Sequence, residues 1–541
     1  MTPRANRFDV AIIGGGHNAL VAAALIARAG RSVVVCEALP RLGGGAALST
    51  LMPGMRAPQC AHTVTGFPPA LIRKLGLARH GLRVLQTHMP ALALDAGGRH
   101  IPLGGRRRRD ARSTREAIYQ WSRADAEAWP AFARRLDALT RLLLPLVTHP
   151  PLPYAGLDWR QRLGWFLHAA RLRRLGAGGM GEALRLLPSN AADMIEDVFE
   201  TPLLSGALVF DAVLGGHRGP RAPGTVFAWL WARALAQSGA GVMQVAGGPA
   251  ALADALRASA VAKGADIRTR ARVIGIRVEE DRACGLILAN GDEIGAGAVI
   301  STIDARTTWV DLVGTAHLDT GLVRDLSAIR SAPSAVKVNL ALGCLPSFPR
   351  AAPDDLRGRL VIAPGVDEVE RAANPRKYGA TTDHPVMEAT IPSLADETLA
   401  PEGRHIMSVI VPFAPMSPAE GWDTAGDALV ARVIKTLGDY APDLPDAVMA
   451  GEVLTPPDIV SHCGVPGGDW HHAEIAFDQS LAMRPVPRLA PGPDDPGSPV
   501  RGLHLGGASA HPGGGLNGRA GALAATSVLS NLRRNRSGGG R

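Results

Sequence analysis

Lysine is scarce in this chain of 541 residues: of 58 basic residues only Lys74, Lys263, Lys337, Lys377 and Lys435 are lysine. The formal charge is +9, but the basic residues are almost all arginine, so the excess reads as coding bias and nucleic-acid binding is not expected. Cysteine is sparse as well. Cys36, Cys60, Cys284, Cys344 and Cys463 are odd in number, far apart and never spaced CxxC, which supports neither a zinc ribbon nor a redox disulfide and fits a reducing compartment. No run reaches the ~20 apolar residues that span a bilayer. The start, MTPRANRFDVAII, is too short and polar before its first apolar run for a secretory signal, so a cytoplasmic protein is expected. Aromatic residues make up only 4%, which bears on the substrate below.

What the chain does have is a large apolar fraction, 46%, enough for two or three intertwined units with a sizeable core. Residues 8–13, FDVAII, read as a buried parallel strand. Gly14-Gly15-Gly16-His17-Asn18-Ala19 follows, matching GxGxxG/A at the start of an alanine-rich helix. Gly14 permits the tight turn and Gly16 lets backbone N–H groups approach a pyrophosphate at the helix N-terminus. A second strand, SVVVCE, ends in Glu37, where an acid holds the ribose hydroxyls of an adenine dinucleotide.

Arg41, Gly43 and Gly44 then complete an ExxxRxGG spacing with Glu37. At the far end, LGGASAHPGGGLNGRAG (505–521) runs into a further helix and delivers a glycine turn and a positive helix end, with Gly507, Ala508, Gly514, Gly515 and Leu516 as candidate contacts. These two segments resemble the opening and closing motifs of phytoene desaturase-like FAD oxidoreductases of the amine oxidase superfamily. The resemblance is greatest to the branch related to pyridine nucleotide-disulfide oxidoreductase domain-containing protein 2, and it extends to HIMSVIVPFAP and PGGDWHHAEIAFDQSLAMRP. It implies FAD as cofactor. Residues 264–304 read as strand, Asn290-Gly291 hairpin and strand, a piece that in such proteins completes the FAD domain, with Val273 on the adenine side.

The fold expected is therefore α/β, α+β overall: a discontinuous Rossmann-type FAD-binding domain with an inserted substrate domain carrying a mixed sheet, and a helical subdomain. The FAD-binding parts are expected at 1–75, 239–308 and 496–534. A mostly helical substrate or lid region should fill 76–238, a substrate-binding domain with a mixed sheet 309–495, and a disordered basic tail 535–541.

Within the insertions, WRQRLGWFLHAARLRRL gathers Trp159, Leu163, Phe166, Leu167 and Ala170 on one face. That pattern suits either a packed surface helix or a basic element in peripheral contact with a membrane. In SAVKVNLAL, alternation sets Lys337 and Asn339 on one side, facing water or a site. The resemblance implies that Lys337 sits where amine oxidases hold a water near flavin N5, which makes it the leading catalytic candidate. The stretch GGDWHH reads either as an ordinary strand-edge turn or as a substrate-cavity loop in which His471 or His472 is a second candidate, as proton donor or acceptor. His511, before Pro512, either shapes the flavin turn or steers its chemistry. Adjacent residues such as these cannot converge on a metal, and none is expected.

The reaction expected is hydride removal from a C–H bond by FAD. The low aromatic content and the absence of any aromatic in HPGGGLNGRAGALAA disfavour the cage that amine oxidases build, so a small apolar, lipid-like or polyene substrate undergoing desaturation or related oxidation is expected. The alternatives are an amine or amino-acid oxidase, or a flavin-bearing protein with a partner-binding role. No second glycine fingerprint serves NAD(P)H, which leaves oxygen, a quinone or another acceptor for reoxidation.

Overall fold

The computed structural model describes residues 7–104, 108–151, 159–333, 335–489 and 498–538. β1 (Arg7–Ile13), α1 (His17–Arg28) and β2 (Val33–Cys36) form the opening unit, with Val10 opposite Val33 and Ile13 opposite Cys36 in a parallel pair. Val10, Ile12, Val33 and Val35 are buried together with the alanine-rich face of α1, which is why both strands read as continuous apolar runs. The sheet is seven-stranded: Asp266–Arg268 lies beyond β2, Glu293–Ser301 runs parallel on the other side of β1, and Leu503–Leu505 pairs with the end of Glu293–Ser301. The antiparallel strands Arg282–Leu288 and Val273–Glu279 complete it. Gly291 adopts φ +87° in the turn, and Asn290 Oδ1 accepts from the Asp292 N–H at 3.1 Å, as an Asn-Gly hairpin requires.

A second seven-stranded sheet runs Val448–Leu454, Ala335–Leu342, His405–Pro412, Met387–Thr390, Arg359–Ile362, Ala91–Ala93 and Ile101–Leu103. It is mixed, because Arg359–Ile362 pairs parallel with Ala91–Ala93 while its other contacts are antiparallel. Two of its strands thus come from a stretch expected to be mostly helical; at three residues each, they are too short to display alternation. Helices Arg123–Thr148, Pro202–Val213 and Thr225–Gln237 form a layer whose core includes Phe132, Phe210, Phe227 and Trp231 and reaches Val361 of this sheet.

The strand carrying Lys337 is buried on both faces. Val336, Val338 and Leu340 pack on Leu429, Val433 and Leu437 of helix Trp422–Gly438, while Ala341 meets Met55 and Ala57. Lys337 therefore does not face water. The closing helix, Arg519–Gly538, continues through the start of the expected disordered tail, since nothing before Gly538 breaks it; residues 539–541 lie outside the described residues. Among the described residues no helix is long and apolar enough to cross a membrane.

The closing helix packs on α1 through Gly521, where a Cβ would collide with the backbone of Asn18. Gly521→Ala should therefore destabilise the protein by about 2 kcal/mol or more. Urea unfolding should show this, with Thr526→Ala on the exposed face changing stability by only about 0.5 kcal/mol.

Candidate functional site

Three loops converge at the N-terminus of α1. The Gly14 N–H donates to Cys36 O at 2.9 Å, and a Cβ on Gly14 would meet Thr302 Oγ1 at 2.8 Å. At Gly16, by contrast, a Cβ would meet nothing within 4 Å, and α1 begins there without any side-chain cap. Uncapped N–H groups behind an open glycine make a cradle for an anionic group such as a pyrophosphate. Glu37 Oε2 accepts from the Gly15 N–H at 2.5 Å and Oε1 from the Leu39 N–H at 2.7 Å. Burial raises its pKa, partly offset by these amides. A carboxylate has about four acceptor positions, so lone pairs remain for ribose hydroxyls. Ala271 donates to Glu37 O at 2.8 Å, which brings the start of the hairpin, and Val273, alongside. The second glycine loop docks on the first: Gly43 N–H donates to Gly15 O at 3.0 Å, and a Cβ on Gly44 would lie 3.5 Å from Gly16 Cα. Arg41 stays exposed at its edge.

The C-terminal turn completes the junction. A Cβ on Gly507 would collide with Thr302 O, so the turn lies directly on the first sheet. The buried Arg484 guanidinium fastens it, donating to Ala508 O at 2.7 and 3.2 Å and to the carbonyls of His471, Ala473, Glu474 and Gln479 at 2.8–3.2 Å. Burial draws its pKa down to about 10, with Asp469 opposing. His471 is held between Gly215 and Gly514; a Cβ on Gly215 would lie 2.8 Å from its Nε2, and one on Gly514 would strike its ring. Asn517 Nδ2 donates to Gly514 O at 2.7 Å, and its Oδ1 accepts from the Arg519 N–H at 2.9 Å, joining the turn to the closing helix. Leu516 is buried in the same core as α1.

Four imidazoles surround this turn in a low-dielectric setting. Burial, with His472 adding to it, lowers the pKa of His17 to about 4; burial, Arg484 and His472 lower that of His471 to about 3. His472 falls to about 4 through burial despite Asp304, and His511 to about 4 for the same first reason. All four are neutral at pH 7. His511 Nε2 donates to His149 O at 3.0 Å, which fixes the Nε2–H tautomer, and its ring meets Trp231 edge-on at 6.0 Å. His17 Nε2, His471 Nδ1, His472 Nδ1, His511 Nδ1 and Asp304 Oδ2 are buried with no hydrogen-bond partner among the described residues. Buried polar atoms are normally satisfied, so these suit the polar groups of a dinucleotide cofactor. The residues present thus fit FAD.

Lys337 is fully buried and its Nζ has no hydrogen-bond partner among the described residues. Burial lowers its pKa to about 7, against the pull of Cys60 and Glu388. Beside it the structure reveals a network invisible in the linear chain. His62 Nε2 lies 3.0 Å from Glu388 Oε1, and Arg359 Nη1 bridges Glu388 Oε2 at 2.7 Å and Asp211 Oδ1 at 3.0 Å. Burial would raise the Glu388 pKa, but Arg359 and His62 hold it near 2; burial and the Lys337 charge hold His62 near 4. Each member sits on a different element, so no local signal marks them; Arg484 at least falls inside the PGGDWHHAEIAFDQSLAMRP stretch. Asp211 lines a cleft that also touches Trp231, Leu235, His471 and Ile475. Among the described residues no group of His, Cys, Asp and Glu is arranged to hold a metal ion.

An unpartnered buried amine costs stability. Its folded pKa, about 7, is below the ordinary value of 10.5, so the unfolded chain binds more protons between those values and stability rises with pH across that window. Lys337→Met should therefore stabilise the protein by about 2 kcal/mol or more at pH 7. The gain should shrink towards pH 10, as read by urea unfolding at several pH values.

The model of the family described as flavin containing amine oxidoreductase matches residues 20–529. Pyridine nucleotide-disulfide oxidoreductase domain-containing protein 2 of Rattus norvegicus is 31% identical over 553 residues, covering 97% of this chain and 94% of the relative. A phytoene desaturase (lycopene-forming) of a Paracoccus species is 25% identical over 355 residues, covering 65% and 66%. A solved oxidoreductase from Methanosarcina mazei shares the fold with TM-score 0.59 at 18% identity, covering 96% of this chain and 99% of that one. A dinucleotide cradle in a flavin family specifies FAD, and with the architecture above the chain belongs to the flavin-containing amine oxidoreductase family.

Proposed function

We propose that this FAD-dependent oxidoreductase takes a hydride from a C–H bond of an apolar, polyene-like substrate, in a desaturation or related oxidation. The observation that carries this reading is the cleft beside the flavin turn, walled by Val213, Leu214, Trp231, Leu235 and Ile475. Trp231 Nε1 donates to Pro512 O at 2.9 Å, which ties that wall to the turn. The charged groups that reach the cleft are already committed: Asp211 to Arg359, and Glu474 to Arg218. A cationic substrate would have to displace one of these pairs, whereas an apolar one need not. The likeness to a phytoene desaturase supports the same class.

FAD supplies the two-electron acceptor. The chain's own share is to seat the substrate, exclude water and handle protons. Neutral His471 and His472 seal the junction without adding charge. Lys337, poised near pH 7, holds or releases a proton at Nζ. Oxygen or a quinone is the proposed final acceptor.

The helix Trp159–Arg173 suits a peripheral membrane contact for such a substrate. Trp159, Leu163, Phe166 and Leu167 are exposed together with Arg162, Arg171 and Arg173, and its sequence holds no acidic residue.

Anaerobic titration of the purified protein with polyene or terpenoid fractions should bleach the flavin absorbance. The rate should increase as pH rises through about 7, while Lys337→Met slows it by about 100-fold and flattens that dependence. Bleaching by amines alone would overturn the reading. Sedimentation with anionic vesicles should be lost in a Trp159→Asp, Phe166→Asp variant whose flavin spectrum is unchanged.

A further inference from the structure

Two cysteines that lie far apart in the chain meet behind the second glycine loop. Cys60 and Cys463 share a buried cluster with Ile459, Val465 and Trp470. Cys60 is clamped on the loop from both sides: the Gln59 N–H donates to Ala47 O and the Ala61 N–H to Gly45 O, each at 3.0 Å. Cys463 ends the helix Pro456–Cys463, which Gly464 terminates at φ +64°. A Cβ on Gly45 would lie 3.6 Å from Cys60 Sγ, and one on neighbouring Gly44 would lie 3.8 Å from Cys463 O. Both cysteines therefore abut consecutive positions of one turn.

Their acidities are split. The neighbouring Cys60 thiol lowers the Cys463 pKa, against burial and with help from Arg41; Cys463 and burial in turn raise that of Cys60 well above the ordinary thiol value. One thiol is thus the better nucleophile and the other its proton-bearing neighbour. The remaining cysteines lie elsewhere: Cys284 Sγ bonds to the Arg277 carbonyl at 3.3 Å, Cys36 is in the first sheet and Cys344 is exposed.

We propose that Cys60 and Cys463 are a redox-active dithiol that closes to an intramolecular disulfide on exposure to hydrogen peroxide. The Cys463 thiolate attacks one peroxide oxygen, the O–O bond breaks, and hydroxide leaves, giving a sulfenic acid. Cys60 Sγ then attacks Cys463 Sγ; the S–O bond breaks and the oxygen departs as water. Two thiols are oxidised, one peroxide is reduced, and the products are one disulfide and two waters. The bond would strap the helix Pro456–Cys463 to the loop that pairs with Gly15 and Gly16.

The test is mass spectrometry of the FAD-bound protein after brief peroxide treatment and alkylation in denaturant. The expected product joins the Cys60 and Cys463 peptides, is lighter by two hydrogens than their sum, and reverts with dithiothreitol, while Cys36 remains alkylated. In Cys60→Ser, dimedone should trap a sulfenic acid on Cys463; in Cys463→Ser, Cys60 should stay a thiol. The flavin spectrum of each variant reports its folding. The proposal falls if both cysteines remain alkylated at peroxide doses that oxidise exposed Cys344, or if Cys463 proceeds to sulfinic acid beside a free Cys60 thiol.

Discussion

The N-terminus of α1 is half-buried and has no side-chain cap, and most of the architecture follows from that constraint. A helix start with unsatisfied N–H groups inside a protein needs an anionic partner. Gly16 leaves room for one, the loop around Gly43 closes the side, and the helix Arg519–Gly538 can approach because Gly521 presents no side chain to Asn18. Gly521 is demanded by this close backbone approach and Gly43 by its φ of +110°, whereas at Gly16 the space is left open. Strands from both ends of the chain and from its middle must consequently join one sheet, so the two long insertions have to form their own sheet and helical layer above it.

The electrostatics of the junction follow from dryness. Four imidazoles around the C-terminal turn are held neutral because burial penalises the charged form, and only at His472 does a carboxylate, Asp304, oppose it. The cationic groups that remain are treated in opposite ways. Arg484 saturates its donors on backbone carbonyls and so acts as a rivet between the stretch 471–479 and the flavin turn. Lys337 has no such bonds, and its proton is accordingly labile near neutrality. The chain of His62, Glu388, Arg359 and Asp211 links the region of Lys337 to the cleft, with neutral His62 at one end and Arg359 lying between the two carboxylates.

Local chemistry made much of the candidate site's backbone legible. An apolar run before a glycine turn, an acid after the next strand, and an Asn-Gly pair between two strands each constrain backbone within a few residues, and the structure places each in the corresponding element. The Lys337 strand was harder. Alternation in SAVKVNLAL separates two faces but cannot say which is wet, and only the helix Trp422–Gly438 on one side and residues 55–60 on the other bury both. The three-residue strands Ala91–Ala93 and Ile101–Leu103 gave no periodicity to read.

By itself, then, the amino-acid sequence determined the glycine loop after β1, the glycine turn before the closing helix and the mixed α/β class, because these depend on short-range backbone geometry that glycine, β-branched residues and helix ends dictate. Tertiary structure alone decided which distant side chains share a dry space: His62 with Glu388 and Lys337, Arg484 with Ala508, Cys60 with Cys463. The physical reason is that desolvation and pairing depend on what surrounds a group in three dimensions, and no spacing along the chain encodes that.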